Sequence, residues 1–459
     1  IGKLPSIWKT AVVTPFYKKG PSSDLANYRP IAQTSIFCKL MERVIVAEVT
    51  EYLLVNSVIS QHQHGFLSRR STATNLLECL SDWTLAIDNS QSKAIIYIDF
   101  MRAFDTVSSQ KLVHKLKKYG ITGNLLKFIS SFLSDRSQRT RVGRSVSEST
   151  RLTSGTVQGS CLGPLLFLIY INDVCKIFDK NVKPKLFADD LKLYTSIKSD
   201  VDQTMLQTNL TRLAKWAEDW QLLISIRKCC VLNINKKQPS TNYYIHGNPL
   251  PNVDHTTDLG LIIDSKLKFS SHIGHITNKA NSRANLILKC FYSKDTTILV
   301  KAFKVYVRPI LEYCSQAWSP HLVKDILLLE SVQRRFTKRL RNMQNVPYLE
   351  RLKKLNLERL DVRRLRADLI LTYKIIFGLI SGIEIARLFT LADTPHNTRG
   401  HRYKLLATRT KKDTARYFFS QRVVKIWNNL PSSTDFMSLS RFKKHLMYDN
   451  LVDFCTVIV

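Results

Sequence analysis

The stretch KPKLFADDLKLYTS, Lys183 to Ser196, decides how this chain is read. Leu186 and Phe187 lead in, and Leu191, Leu193 and Tyr194 lead out, so two short β-like runs flank Asp189 and Asp190. A tight turn between the runs would project both carboxylates from the tip of a hairpin. Adjacent carboxylates repel unless a cation lies between them. A solvated acidic turn is the ordinary account of a lone Asp-Asp pair. A third carboxylate in a matching setting favours a cation site instead. KAIIYIDF, Lys93 to Phe100, is a continuous apolar run that reads as a buried strand and delivers Asp99 at its end. If the two strands are neighbours in one sheet, three carboxylates converge. Such a cluster calls for divalent cations, and hard oxygen ligands suit magnesium.

The bulk properties narrow the partner. The chain has 459 residues, enough for about three domains on a prior of roughly 150 residues each. At 44% hydrophobic it buries a core and is not a disordered chain. Its formal net charge is +33, which implies a polyanion, nucleic acid first and an anionic membrane surface second. Residues 276–459 carry 34 Lys+Arg against 14 Asp+Glu, so much of the excess lies there. Nine scattered cysteines with no C-x-x-C pair argue for a reducing, intracellular compartment and against a disulfide framework or zinc knuckle. The longest apolar run, Leu162 to Ile171, is interrupted by Pro164 and falls short of the ~20 residues of a membrane span. The chain starts at Ile1 rather than Met, as a fragment of something longer would.

Outward from the hairpin, Ala11 to Thr14 reads as a strand and Phe37 to Leu54 as a helix with Leu40, Val44, Ile45, Val49 and Leu53 on its apolar face. QHQHGFLSRRST, Gln61 to Thr72, is a loop leading into a helix capped by Ser71 or Thr72. Ser108 or Ser109 caps a further helix that stops at Gly120. RTRVGRSVSESTRL, from Arg139, reads as a β-hairpin, and SGTVQGSCLGPLLF as a Gly-rich turn entering an apolar helix. Asp200 to Trp220 is amphipathic. From about residue 276 the pattern is mostly helical; ESVQRRFTKRLRNM sets Val332, Phe336, Arg339 and Leu340 on one face and Arg334, Lys338 and Arg341 around the other.

Six stretches in order resemble the reverse transcriptases of non-LTR retrotransposons of the LINE, jockey-like kind: NYRPI, QHGF…ST, YIDFMRAFDTV, SGTVQGSCLGPLLF, FADD and DLGLIID. The resemblance covers about residues 8 to 275, and more loosely the rest. It implies a right-hand polymerase of α+β class: fingers over 1–92, a palm with an antiparallel sheet over 93–257, and a primer-grip segment with a helical thumb over 258–344. A basic, mostly helical C-terminal extension over 345–459 has no assigned role. The implied reaction is RNA-templated DNA synthesis from deoxynucleoside triphosphates on a DNA primer or nicked target DNA. Two Mg2+ ions, with Mn2+ as a substitute, would be held by Asp99, Asp189 and Asp190. The rival reading is an inactive or co-opted nucleic-acid-binding remnant of the same fold.

The resemblance also distributes the remaining roles. Phe104 falls at an aromatic gate that would clash with a ribose 2′-OH; otherwise it is a core aromatic. Phe100, Gln158 and Gly159 would lie against the incoming nucleotide, and Asp105 would be a structural hydrogen-bonding carboxylate. Lys18, Lys19, Arg29, Arg69 and Arg70 are candidates to grip the triphosphate, with Lys18 and Arg69 preferred. Lys228 would protonate the pyrophosphate leaving group. Arg334, Arg335, Lys338, Arg339 and Arg341 would track nucleic-acid phosphates. Val157 and Cys161 depart from the family pattern, which usually has proline and a small aliphatic residue there. The family's nicking endonuclease is normally a separate upstream domain, so this chain is expected to polymerise and not to cut. A nuclear and cytoplasmic ribonucleoprotein location, with no membrane, follows from the same resemblance.

Overall fold

The computed structural model describes residues 2–18, 20–235, 241–392, 400–447 and 451–455. Its strands are β1 (Thr10–Tyr17), β2 (Tyr28–Gln33), β3 (Ser92–Ile98), β4 (Ser137–Val142), β5 (Ser145–Val146), β6 (Thr150–Arg151), β7 (Lys183–Phe187), β8 (Asp190–Ile197), β9 (Cys230–Ile234), β10 (Tyr244–Ile245), β11 (Asn248–Pro249), β12 (Asn252–Val253), β13 (His255–Asp258) and β14 (Leu261–Asp264). The early helices are α1 (Ile36–Val55), α2 (Thr72–Asp88), α3 (Ser109–Lys118), α4 (Gly123–Leu133), α5 (Leu162–Ile171) and α6 (Asp200–Asp219). After β14 the chain is helical: α7 (Ser270–Cys290), α8 (Thr296–Tyr306), α9 (Arg308–Glu312), α10 (Ser315–Trp318), α11 (Val323–Lys338), α12 (Tyr348–Lys354), α13 (Leu360–Ile376), α14 (Ile385–Leu388), α15 (Asp413–Arg416), α16 (Phe419–Asn428) and α17 (Leu439–His445). The fold is α+β, as the sequence predicts.

Two sheets organise the N-terminal half. One has the order β12-β9-β3-β8-β7, so β3 and β8, the strands that bear the acidic motifs, are direct neighbours. β7 and β8 form the antiparallel hairpin, with Phe187 opposite Asp190. The other sheet has the order β2-β1-β4-β5, with β6 on β4; β1 pairs antiparallel with β2 and parallel with β4.

Close contacts divide the chain into two compact units, residues 1–67, 95–231 and 240–252 in the first and 68–94, 232–239 and 253–459 in the second. In the first, α5 is apolar on every side because it is buried on every side. Lys115 of α3 is buried behind it, with its ammonium 3.5 Å from the Trp220 ring centre, 2.6 Å from Asp173 and donating to the Tyr170 carbonyl. Burial pulls this lysine down to about 8. The buried face of α1 is Cys38, Glu42, Val49 and Leu53; Leu40 and Val44, expected inside, are exposed.

In the second unit α2 packs on α10, α14 and α15. Ser71 caps it through a capping box with Thr74. Residues beyond 345 are part of this unit's core. The buried Glu330 of α11 accepts from the Tyr348 hydroxyl and, at 2.9 Å, from the Leu360 N–H. Asp368 of α13 pairs with Arg422 of α16 at 2.9 and 3.0 Å.

Candidate active site

β3 ends at Ile98, so Asp99 leaves the sheet beside the turn between β7 and β8. The two carboxylates feel each other. Asp189 is half-buried; burial first, and then the Asp99 charge, raise its carboxyl above the usual range. Arg29 and Lys228 oppose that rise. The Lys228 ammonium sits 3.0 Å from Asp99 Oδ2. Asp190 is the first residue of β8, opposite Phe187, and is exposed. Among the described residues no cluster of three or more His, Cys, Asp or Glu side chains could hold a metal ion. Asp99 and Asp189 lie close enough for the Asp99 charge to act on Asp189. A half-buried pair of hard, mutually repelling oxygen donors with open access still fits a divalent cation.

The turn that carries Asp189 is Ala188–Asp189, one residue earlier than the sequence reading. Ala188 has φ +58°, a left-handed conformation that costs a residue bearing Cβ. The QHGF loop holds it there. Gln63 Oε1 accepts from the Ala188 N–H at 2.9 Å, while Gln63 Nε2 donates to the Ala188 carbonyl at 3.2 Å. The same Oε1 takes the Gly65 N–H at 2.8 Å. Either side of this clamp, the His64 N–H donates to the Leu186 carbonyl and the Leu186 N–H to the His62 carbonyl, both at 2.9 Å. A Cβ on Gly65 would fall 2.3 Å from the Ala188 nitrogen, so only glycine lets the loop approach.

A second support surrounds Gln158. Its Nε2 donates to Asp105 Oδ1 at 2.7 Å, so Asp105 is a positioning carboxylate. Burial raises its pKa, with Gln158, Arg102 and Lys18 pulling the other way. The Gln158 carbonyl accepts from the Ala32 N–H of β2 at 2.8 Å. Gly159 has φ +110°, and a Cβ there would lie 2.2 Å from the Ala32 carbonyl oxygen. Its close approach is thus to the protein's own strand. Beyond the turn, the fully buried Glu42 accepts from the Cys161 and Leu162 N–H groups at 2.6 and 2.9 Å. It places a carboxylate on the N-terminus of α5, where the helix field favours negative charge.

Phe104 is half-buried, stacked on Phe167 at 4.3 Å between ring centres and edge-on to Phe66 at 6.1 Å. Phe100 is 3% exposed, which removes its ring from any ligand surface and leaves only its backbone, bridged to Ile224.

This spacing of an aspartate at one strand end, a Gln-Gly turn and an Asp-Asp hairpin has a counterpart among known families. The family model described as reverse transcriptase (RNA-dependent DNA polymerase) matches residues 17–262. The chain belongs to the reverse transcriptase family. Among curated relatives, the probable RNA-directed DNA polymerase from transposon BS of Drosophila melanogaster is 28% identical over 368 residues, 76% of this chain and 40% of that protein. The RNA-directed DNA polymerase from mobile element jockey of the same organism is 27% identical over 353 residues, 73% of this chain and 38% of that one. The chain thus spans about two fifths of the length of these relatives. Among solved structures, a telomerase from Candida tropicalis in complex with a fragment of telomeric RNA aligns at 12% identity with a TM-score of 0.43, covering 81% of this chain and 59% of that one.

The remaining expected site residues of this reverse transcriptase chain are less uniform. Lys18 lies near enough to Asp105 to act on its charge; Lys19 lies outside the described residues. Arg69 and Arg70 belong to the second unit, where the Arg69 carbonyl accepts from Ser381. Arg334, Arg335, Lys338, Arg339 and Arg341 are all exposed. Arg339 is not on the apolar face: α11 ends at Lys338, and Arg339 turns out to bond Asn285 at 2.5 Å. Other basic residues of the second unit are internally paired, among them Arg359 with Asp361, Arg363 with Glu312, and Arg387 with Glu78. Sequence reading missed Gln63, Gly65 and Glu42 as supports. A glutamate on the buried stripe of α1 was the one visible signal for Glu42.

Proposed function

We propose that this chain is the polymerising segment of a non-LTR, jockey-like retrotransposon and extends a DNA primer 3′-OH, or a nick in target DNA, along an RNA template. The observation that supports this reading is that Asp99, after β3, acts electrostatically on Asp189, before the neighbouring β8, within a reverse transcriptase sequence pattern. Asp99 and Asp189 would hold two Mg2+ ions, with Mn2+ as a substitute and Asp190 beside them. Such ions, when bound, stabilise charge on the attacking and leaving oxygens of an in-line phosphoryl transfer.

The chain's own groups would do the rest. Gln158, held by Asp105, would meet the incoming deoxynucleotide. Phe104, its ring fixed by Phe167, would exclude a 2′-OH from the sugar site. Arg29 and Lys18 would take the triphosphate oxygens, and Lys228 would donate to the pyrophosphate as it leaves. The primer hydroxyl attacks the α-phosphorus as the bond to pyrophosphate breaks. The exposed arginines at the end of α11 would follow the backbone of the template–primer duplex.

The test is primer extension on an RNA template with Mg2+, wild type against Asp189→Ala. We expect synthesis by the wild type and at least a hundredfold less by the variant, the scale on which lost transition-state charge stabilisation is felt. Folded wild type without synthesis defeats the reading; equal synthesis by the variant defeats the site.

A further inference from the structure

The second unit holds a cavity of about 320 Å³ that takes no part in the chemistry above. All of its lining residues belong to that unit. Its walls are largely apolar and aromatic: Leu80, Phe269, Trp318 and Phe418 line it. The Trp318 indole N–H donates to the Tyr313 carbonyl at 2.8 Å, so this ring offers the cavity no polar atom. Beside it His321 lies flat on Tyr417, with 4.0 Å between ring centres and 2° between planes. A void of this size takes one small ligand, and aromatic walls favour a flat one.

The charged side chains of the lining sort by their partners. Arg422 is held by Asp368 at 2.9 and 3.0 Å, and Asp413 faces Arg416 at 3.4 Å. Lys268, Lys324 and Asp325 remain. Both lysines are exposed and form no ion pair among the described residues, which puts two uncompensated ammonium groups at the mouth. Asp325 is buried and accepts the Ser270 hydroxyl through Oδ2 at 2.7 Å. Its Oδ1 takes no hydrogen bond among the described residues, so an acceptor is left over inside. A ligand that satisfies both ends carries an N–H donor at one end and an anion at the other. With a flat ring between them, that ligand is a nucleotide. Carboxylates accept from the amino groups of bases, so adenine, cytosine and guanine suit Asp325, whereas uracil has no amino group to give.

We propose that this pocket binds one nucleotide, with an amino-bearing base against Asp325 and the phosphate on Lys268 and Lys324. The nucleotide is either free or flipped out of a nucleic-acid strand. No residue of the polymerase site takes part, so the pocket stands or falls apart from that reading. Equilibrium dialysis of the full chain, without divalent ions, compares labelled adenosine 5′-monophosphate with uridine 5′-monophosphate and with adenosine. The adenine nucleotide should bind roughly tenfold more tightly than the uracil one. Lys268→Ala/Lys324→Ala should weaken the nucleotide by about tenfold and leave adenosine unchanged. Asp325→Asn should erase the preference for adenine over uracil, and Asp189→Ala should change nothing. Displacement by single-stranded oligoadenylate but not by oligouridylate assigns the pocket to a base of a strand; displacement by neither assigns it to a free nucleotide. Displacement by both alike reports charge alone and overturns the proposal. So does absent or equal binding of the two nucleotides, binding that both pocket variants keep unchanged, or a loss in Asp189→Ala as large as in the lysine variant.

Discussion

At the scale of single residues, Asp189 of the candidate site is a carboxylate whose charged form is disfavoured by burial first and by the Asp99 charge second. Burial and Asp99 favour the protonated form of Asp189, so its folded pKa lies above its unfolded value. A carboxyl shifted in that direction contributes stability at low pH that is lost as pH rises through the folded pKa. At neutral pH the metal-free protein therefore carries a destabilising charge. Asp189→Asn should raise the melting temperature of the metal-free chain. Added Mg2+ should raise that of the wild type but not of the variant, which calorimetry with and without chelator measures. A variant that melts lower than wild type without metal would contradict the strain.

Gln63 makes a second prediction at this scale. Its amide replaces two backbone partners for Ala188, and Gln63→Leu removes both while keeping the bulk. Misplacing a reacting group by about 1 Å costs about a hundredfold. We expect kcat to fall roughly ten- to a hundredfold with KM nearly unchanged, and the melting temperature to move little. A change confined to KM would place Gln63 on the nucleotide instead.

At the scale of elements, what was legible in the sequence had local causes. Asp99 could be read because an apolar run ends on it, and the hairpin because apolar runs flank its turn. α1, α2 and α6 form where apolar spacing and capping residues announce them. Gln63 could not be read: its partner lies 125 residues away, and a glutamine that imitates backbone has no pattern of its own. The exposed Leu40 and Val44 of α1 show the same limit, since the buried stripe follows Glu42 and its partners on α5.

β14 and α7 supply a pH test. His272 is buried, accepts the Ile262 N–H at 3.3 Å through Nδ1, and meets Trp318 edge-on. Desolvation, helped by His275, lowers it from 6.5 to about 4. The unfolded chain takes up this proton near 6.5 and the folded chain resists until about 4. Stability from this group is complete above about 6.5 and is lost as pH falls through the interval. The interval amounts to about 3 kcal/mol at 1.36 kcal/mol per unit. The stability difference between wild type and His272→Asn should narrow by that order from pH 7 to pH 4 in urea titrations. A difference flat with pH would remove His272 from the acid response.

At the scale of the molecule, the charge excess divides into arginines that build the second unit and arginines that face solvent. The stretch from 345 onward read as an appended basic extension, yet it contains buried partners of earlier helices. Glu330 is satisfied by Tyr348 and Leu360. The carboxylate of Asp88, at the end of α2, accepts from the Lys411 and Lys412 N–H groups at 2.7 and 2.8 Å. Arg422 joins Asp368 to the Gln316 carbonyl, 2.9 Å away. Removing one partner of a buried charged pair costs about 3–5 kcal/mol, a large share of a domain's stability of roughly 5–15 kcal/mol. A chain ended after residue 344 would lose several such partners at once and uncover Leu329, Val332 and Phe336, which are buried in the full chain. We expect that truncation to abolish cooperative unfolding of the second unit and to expose its helices to proteolysis, as limited digestion with mass mapping would report. An appended extension predicts the opposite: the same protected fragments and the same melting profile with or without it.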